Sequence, residues 1–148
     1  STFFADPVES HPARASLPQR TAQRAPPEPE TDMQYMLLIY EPEEHYANAS
    51  ETLLTEIVAK HMALSAELRE QGVLLGGDGL QGVETATTVV TDAGGAQSLH
   101  DGPFAETKEQ LGGYYLIHVA DLDAALAVAR RIPVVPGGKV EVRPVMIY

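Results

Sequence analysis

The chain contains no cysteine and no tryptophan. The first absence rules out a disulfide framework, a thiolate nucleophile and any Cys-ligated zinc or iron–sulfur centre. Basic residues are scarce: ten Lys and Arg stand against 21 Asp and Glu, for a formal charge of −11. Nucleic-acid binding draws on clustered Lys and Arg that displace counterions from phosphates, so neither nucleic acid nor an anionic membrane is expected as a partner. Only Arg130 and Arg131 are even adjacent. No apolar run approaches the ~20 residues that a membrane-spanning helix needs. With 44% hydrophobic and 21% charged residues the composition is that of a water-soluble globular protein. A length of 148 residues leaves room for one ordinary domain.

What is present divides into two unequal parts. Residues 1–32 hold six of the eleven prolines and almost no aliphatic side chains. Such a stretch buries too little apolar surface to offset its ordering entropy, so a flexible extension is expected. The alternative is docking on the same or a neighbouring subunit through Phe3 and Phe4. The extension has no basic segment followed by an apolar one, so no secretory signal is expected and a cytoplasmic location is. Residues 33–148 carry sixteen acids and seven bases, so the domain itself is acidic.

From Met33 onward the periodicities are clear. Tyr35 to Tyr40 is a continuous apolar run of strand length, the pattern of a strand buried on both faces, ended by Pro42. Asn48 and Glu51 form a capping-box-like start, and Leu54, Ile57, Val58, His61, Leu64, Ser65 and Leu68 recur at helical spacing until Gly72 stops the helix. Gly72 to Gly82 reads as a glycine-punctuated connection. Ala86 to Thr91 is β-branched, and Asp92 to Gly95 is a turn leading to a short strand at Gln97 to His100. Gly113 to Val119 is a strong strand. Asp121 caps a second helix running through Arg131, and Pro133 closes it. Lys139 to Tyr148 ends the chain as a strand in which Pro144 implies an edge position or a bulge.

This order is the split β-α-β pattern of the ferredoxin-like α+β fold, an antiparallel sheet with two helices on one face. The opposite face stays apolar and uncovered, because Tyr115, Ile117 and Val119 alternate with Tyr114, Leu116 and His118. Exposed apolar surface of that size is normally an interface, so a homodimer through the open sheet face is expected.

The fifteen residues from Asp101-Gly102-Pro103-Phe104 through Tyr114-Tyr115 resemble the signature of the DGPF branch of the YCII-related family. MQYMLLIY from Met33 is similar to the family's N-terminus, and VEVRPV to its last strand. The resemblance covers residues 33–148 and leaves the extension 1–32 unexplained. It implies a dimeric α+β barrel. For function it implies less: some relatives lie beside genes for extracytoplasmic sigma factors, and one is a dehydrochlorinase of a chlorinated hydroxyquinol with a proposed His and Asp pair.

His61 is the leading catalytic candidate, since the family pattern places a His in the first helix. An imidazole there can serve as general base or acid, particularly if a carboxylate orients its second nitrogen. The alternative is a core histidine satisfied by a backbone carbonyl. Asp78 is the nearest carboxylate to the family's acid, or else an Asx turn between glycines. Asp101 is either a turn former or a second candidate for that acid. Glu106, Thr107 and Lys108 would give a pocket a polar rim, and Tyr114 and His118 could line it. No two His stand at the i, i+4 spacing of a helical zinc site, and the glycines form no dinucleotide fingerprint, so neither metal nor cofactor is expected. Two functions follow as expectations. One is a cofactor-independent enzyme moving a proton on a small metabolite, with His61 as base and Asp78 or Asp101 orienting it. The other is a non-catalytic dimer that binds an unknown small ligand, in a sigma-factor circuit for example.

Overall fold

Strand β1 (Met33–Pro42) forms the spine of the domain in the computed structural model, which describes residues 33–104 and 107–148. The expectations for the extension 1–32 and for Glu106 lie outside these described residues. Tyr35, Leu37 and Ile39 point to one side of β1 and are buried, whereas Met36, Leu38 and Tyr40 on the other side are half-buried. The run was expected to be buried on both faces. In the single chain only one face is covered, because the two longer helices lie on the same side.

Helix α1 (Glu43–Ala47) follows at once, a single turn that the sequence pattern did not reveal. Helix α2 (Glu51–Glu70) starts at Ser50, whose hydroxyl accepts the Leu53 N–H at 3.0 Å; Asn48 does not supply the cap. Its sheet-facing stripe is Ile57, His61, Leu64, Ser65 and Leu68. Past the end of the helix Gly72 adopts φ +78, a conformation that a Cβ would disfavour. The glycine-rich stretch expected as a connection is partly a strand, β2 (Leu74–Gly79). Its glycines permit close pairing: a Cβ on Gly113 would stand 2.9 Å from the Asp78 carbonyl oxygen.

Strands β3 (Thr87–Thr91) and β4 (Gln97–Asp101) make a separate hairpin. Asp92 builds its turn by accepting the N–H groups of Gly94 and Ala96, each at 2.9 Å. Strand β5 (Glu109–Val119) returns to the main sheet. Helix α3 (Leu122–Ala129) is capped by Asp121, which accepts the Ala124 N–H at 2.9 Å, and Arg130 already forms its C-cap, so it stops short of Arg131. Strand β6 (Lys139–Pro144) closes the fold at an edge, as Pro144 requires.

The four-stranded sheet has the order β2-β5-β1-β6 with every pairing antiparallel. This is the ferredoxin-like arrangement with the β3–β4 hairpin inserted between its second and third strands. Leu37, Tyr115, Ile117, Leu68 and Ala125 form the centre of the core beneath α2 and α3. On the opposite face the register sets Leu38 beside Tyr114 and Met36 beside Leu116, flanked by Glu141 and Arg143 of β6. Gly112 is the extra residue of a bulge opposite Ile39 and Tyr40, near the start of β5.

Candidate functional site

Polar residues gather at two places. The first lies inside the core, where His61 is only 3% exposed and its Nδ1 stands 2.7 Å from the Tyr115 hydroxyl. Burial pushes the imidazole down to about 4, opposed in part by the Pro133 carbonyl. Burial also pushes the Tyr115 phenol up to about 12, opposed in part by Ser65. Both groups are therefore neutral at pH 7. A protonated phenol donates to Nδ1, which leaves Nε2 carrying the hydrogen towards the Pro133 carbonyl. The Ser65 hydroxyl is also buried and bears on the phenol, but its oxygen forms no hydrogen bond of good geometry among the described residues.

Among the other expected site residues, Asp78 is exposed and pairs in register with Tyr114, one residue from the Gly77–Tyr115 pair. Alternation along β5 puts Asp78 with Tyr114 on the open face and His61 with Tyr115 on the helix face, so the sheet separates His61 from Asp78. Asp101 ends β4 opposite Thr87 and is exposed. Its neighbour Gly102 turns the chain at φ +107. His118, opposite Gln34, also lies on the open face. No carboxylate of the expected set meets His61 within the described residues.

The second place is an open cleft of about 740 Å³ between α1 and the segment leading into β5. Glu43, Glu44 and His45 form one wall, and Pro103, Thr107, Lys108 and Gln110 the other. The two walls are joined where the Glu43 N–H donates to the Lys108 carbonyl at 3.1 Å. Within the segment, the Thr107 hydroxyl donates to the Glu109 carbonyl at 2.6 Å, and Glu109 is ion-paired with Lys139.

His45 is held in place from outside the cleft. Its Nδ1 lies 2.8 Å from the Pro136 carbonyl oxygen, which can only accept, so Nδ1 carries hydrogen and the neutral ring keeps Nε2 as an acceptor. Gly137 makes room for the ring: it has φ +89, and a Cβ there would stand 3.1 Å from Nδ1. The loop that presents Pro136 is tied to β1 by Glu41, whose carboxylate accepts the Val135 N–H at 2.9 Å. Burial raises the pKa of that carboxyl, and the Val135 N–H partly opposes the rise. The sequence analysis missed His45, because it lies in a one-turn helix whose orienting partner is 91 residues away. The available signal was EEHY directly after a strand-ending proline.

An antiparallel α+β domain of ferredoxin-like topology, with a polar cleft where its third core strand begins, is the class that fold and site define. A family model for the YCII-related domain matches residues 33–147, and the chain belongs to that family. It is also 47% identical over 66 residues to an uncharacterized protein of Rhizobium meliloti (strain 1021). That alignment covers 43% of this chain and 53% of the relative, so the match spans about half of the relative's length. Among the described residues, no group of three or more His, Asp or Glu could hold a metal ion, and no helix is long and apolar enough to cross a membrane.

Proposed function

We propose that this YCII-related chain acts on a small polar metabolite in the cleft between α1 and the wall formed by Pro103 and Thr107–Gln110, by proton transfer at His45. The observation that carries the reading is the bond from His45 Nδ1 to the Pro136 carbonyl, which orients the ring of a residue lining the open cleft and leaves Nε2 of the neutral imidazole as an acceptor. There Nε2 takes a proton from a substrate hydroxyl or an acidified C–H, and the Lys108 ammonium on the facing wall steadies the negative charge that develops. His61 has no such access. A base held near pKa 4 also gains little driving force from accepting a proton at pH 7. Its role in this reading is to complete the core with Tyr115.

The test is a screen of small hydroxylated aromatics and hydroxy acids for turnover, followed by His45→Gln and His61→Gln on any hit. Loss of turnover only in His45→Gln supports the assignment. Loss only in a stably folded His61→Gln overturns it. Saturable binding with an unchanged ligand in every preparation makes the protein a binder and not an enzyme.

The same reading includes a homodimer through the open sheet face. Its support is the row of Met36, Leu38, Tyr114 and Leu116, half-buried in the single chain and rimmed by charged residues of β6. Leu116→Glu is expected to yield a folded monomer by light scattering. A wild type that is already monomeric at micromolar concentration contradicts the interface.

A further inference from the structure

A second cleft, sharing no residue with the first, lies between α2 and the chain that leaves α3. It has a volume of about 430 Å³ and an apolar floor that includes Leu64, Ile132 and Pro133. Its rim carries Lys60 from α2 together with Arg130 and Arg131. Residues 33–148 contain seven Lys and Arg against sixteen acids, so three of the seven cations converge on one small cleft of an acidic domain.

One of the three is neutralised. Arg131 grips Glu67 through two parallel bonds of 2.9 and 2.6 Å, which also fixes the separation of the two walls. Neither Lys60 nor Arg130 forms an ion pair with a carboxylate among the described residues. The end of α3 accounts for the two arginines, because cations complement the negative pole of a helix C-terminus. It does not account for Lys60, which approaches from a different helix. Both cations line the same cleft, so an anion seated there meets two positive charges from two separate elements.

We infer that this cleft is an anion-binding site, taking a carboxylate or phosphate group between Lys60 and Arg130 while the apolar remainder of the ligand rests on Leu64, Ile132 and Pro133. Arg131 and Glu67 are positioning residues that fix the spacing of the walls. The site stands on its own whether or not the His45 cleft is catalytic.

The experiment is an NMR titration of the full chain with inorganic phosphate and, separately, with acetate, at an ionic strength held constant with sodium chloride. Saturable shifts centred on the amides of Lys60 and residues 130–132 are expected, and the stronger ligand identifies the headgroup. Lys60→Gln and Arg130→Gln are each expected to weaken binding at least fivefold, while Arg69→Gln, on the same helix but outside the cleft, leaves it unchanged. Shifts that do not saturate, that sodium chloride alone reproduces, or that survive both substitutions overturn the inference.

Discussion

Lowering the pH from 7 to 4 tests the buried histidine directly. His61 titrates near 6.5 in the unfolded chain but only near 4 in the folded one, chiefly because burial penalises its charged form. Between those values the unfolded state binds a proton that the folded state refuses, so stability falls as the pH falls through this window. Above pH 6.5 the group is neutral in both states and costs nothing. Each pKa unit is worth about 1.4 kcal/mol, so the loss approaches about 3 kcal/mol below pH 4. Against a total of about 5–15 kcal/mol for an ordinary domain, this is a large fraction. Other groups titrate in the same range, so the informative quantity is the difference between wild type and His61→Gln, measured by urea unfolding at half-unit intervals. The glutamine keeps an acceptor for the Tyr115 hydroxyl and has no proton to gain. The wild type is expected to lose about 2–3 kcal/mol more than the variant between pH 6.5 and 4. Parallel profiles would refute the reasoning, because they would mean that His61 is solvated or already charged when folded.

Further tests follow from the core and the sheet. Tyr115→Phe removes the donor to His61 Nδ1 and is expected to cost about 1–3 kcal/mol in denaturant unfolding, part of it recovered in the His61→Leu/Tyr115→Phe double variant; an unchanged single variant contradicts the bond. Leu37→Ala empties the centre of the core, where the side chain is 0% exposed, and should cost about 2–5 kcal/mol. Gly113→Ala drives a Cβ against the Asp78 carbonyl and should destabilise by about 1–3 kcal/mol, whereas Gly76→Ala, with nothing within 4 Å of the added carbon, should be tolerated much better. Equal effects at the two glycines would show that the β2–β5 pairing is looser than described.

The element order and topology were legible because periodicity reports burial. Tyr115 and Ile117 alternating with Tyr114 and Leu116 marked the two faces of β5, and Pro144 narrowed β6 to an edge or a bulge, of which the structure shows the edge. β2 was only half legible, since the glycines that allow its tight pairing with β5 also erase its pattern. The cap at Ser50 in place of Asn48 is a choice of two residues that local propensity does not separate. His61 stood out as a polar member of an apolar stripe, but spacing along a helix says nothing of Tyr115, which is 54 residues away. The separation of His61 from Asp78 follows from a register, Asp78 against Tyr114, that only the paired strands define. The His45 cleft was half legible: Lys108 and Thr107 stood out as a rim, while the opposite wall depends on a carbonyl and a glycine from the loop after α3.

The measurement that tests the account most directly maps where small molecules bind. A set of hydroxylated aromatics and hydroxy acids would be titrated into the full chain, following the amides of both polar centres by NMR. Shifts concentrated at Glu43–His45 and Thr107–Gln110, abolished by His45→Gln, are the predicted result. Shifts concentrated at His61, Ser65 and Tyr115 would contradict it and return the chemistry to the core pair.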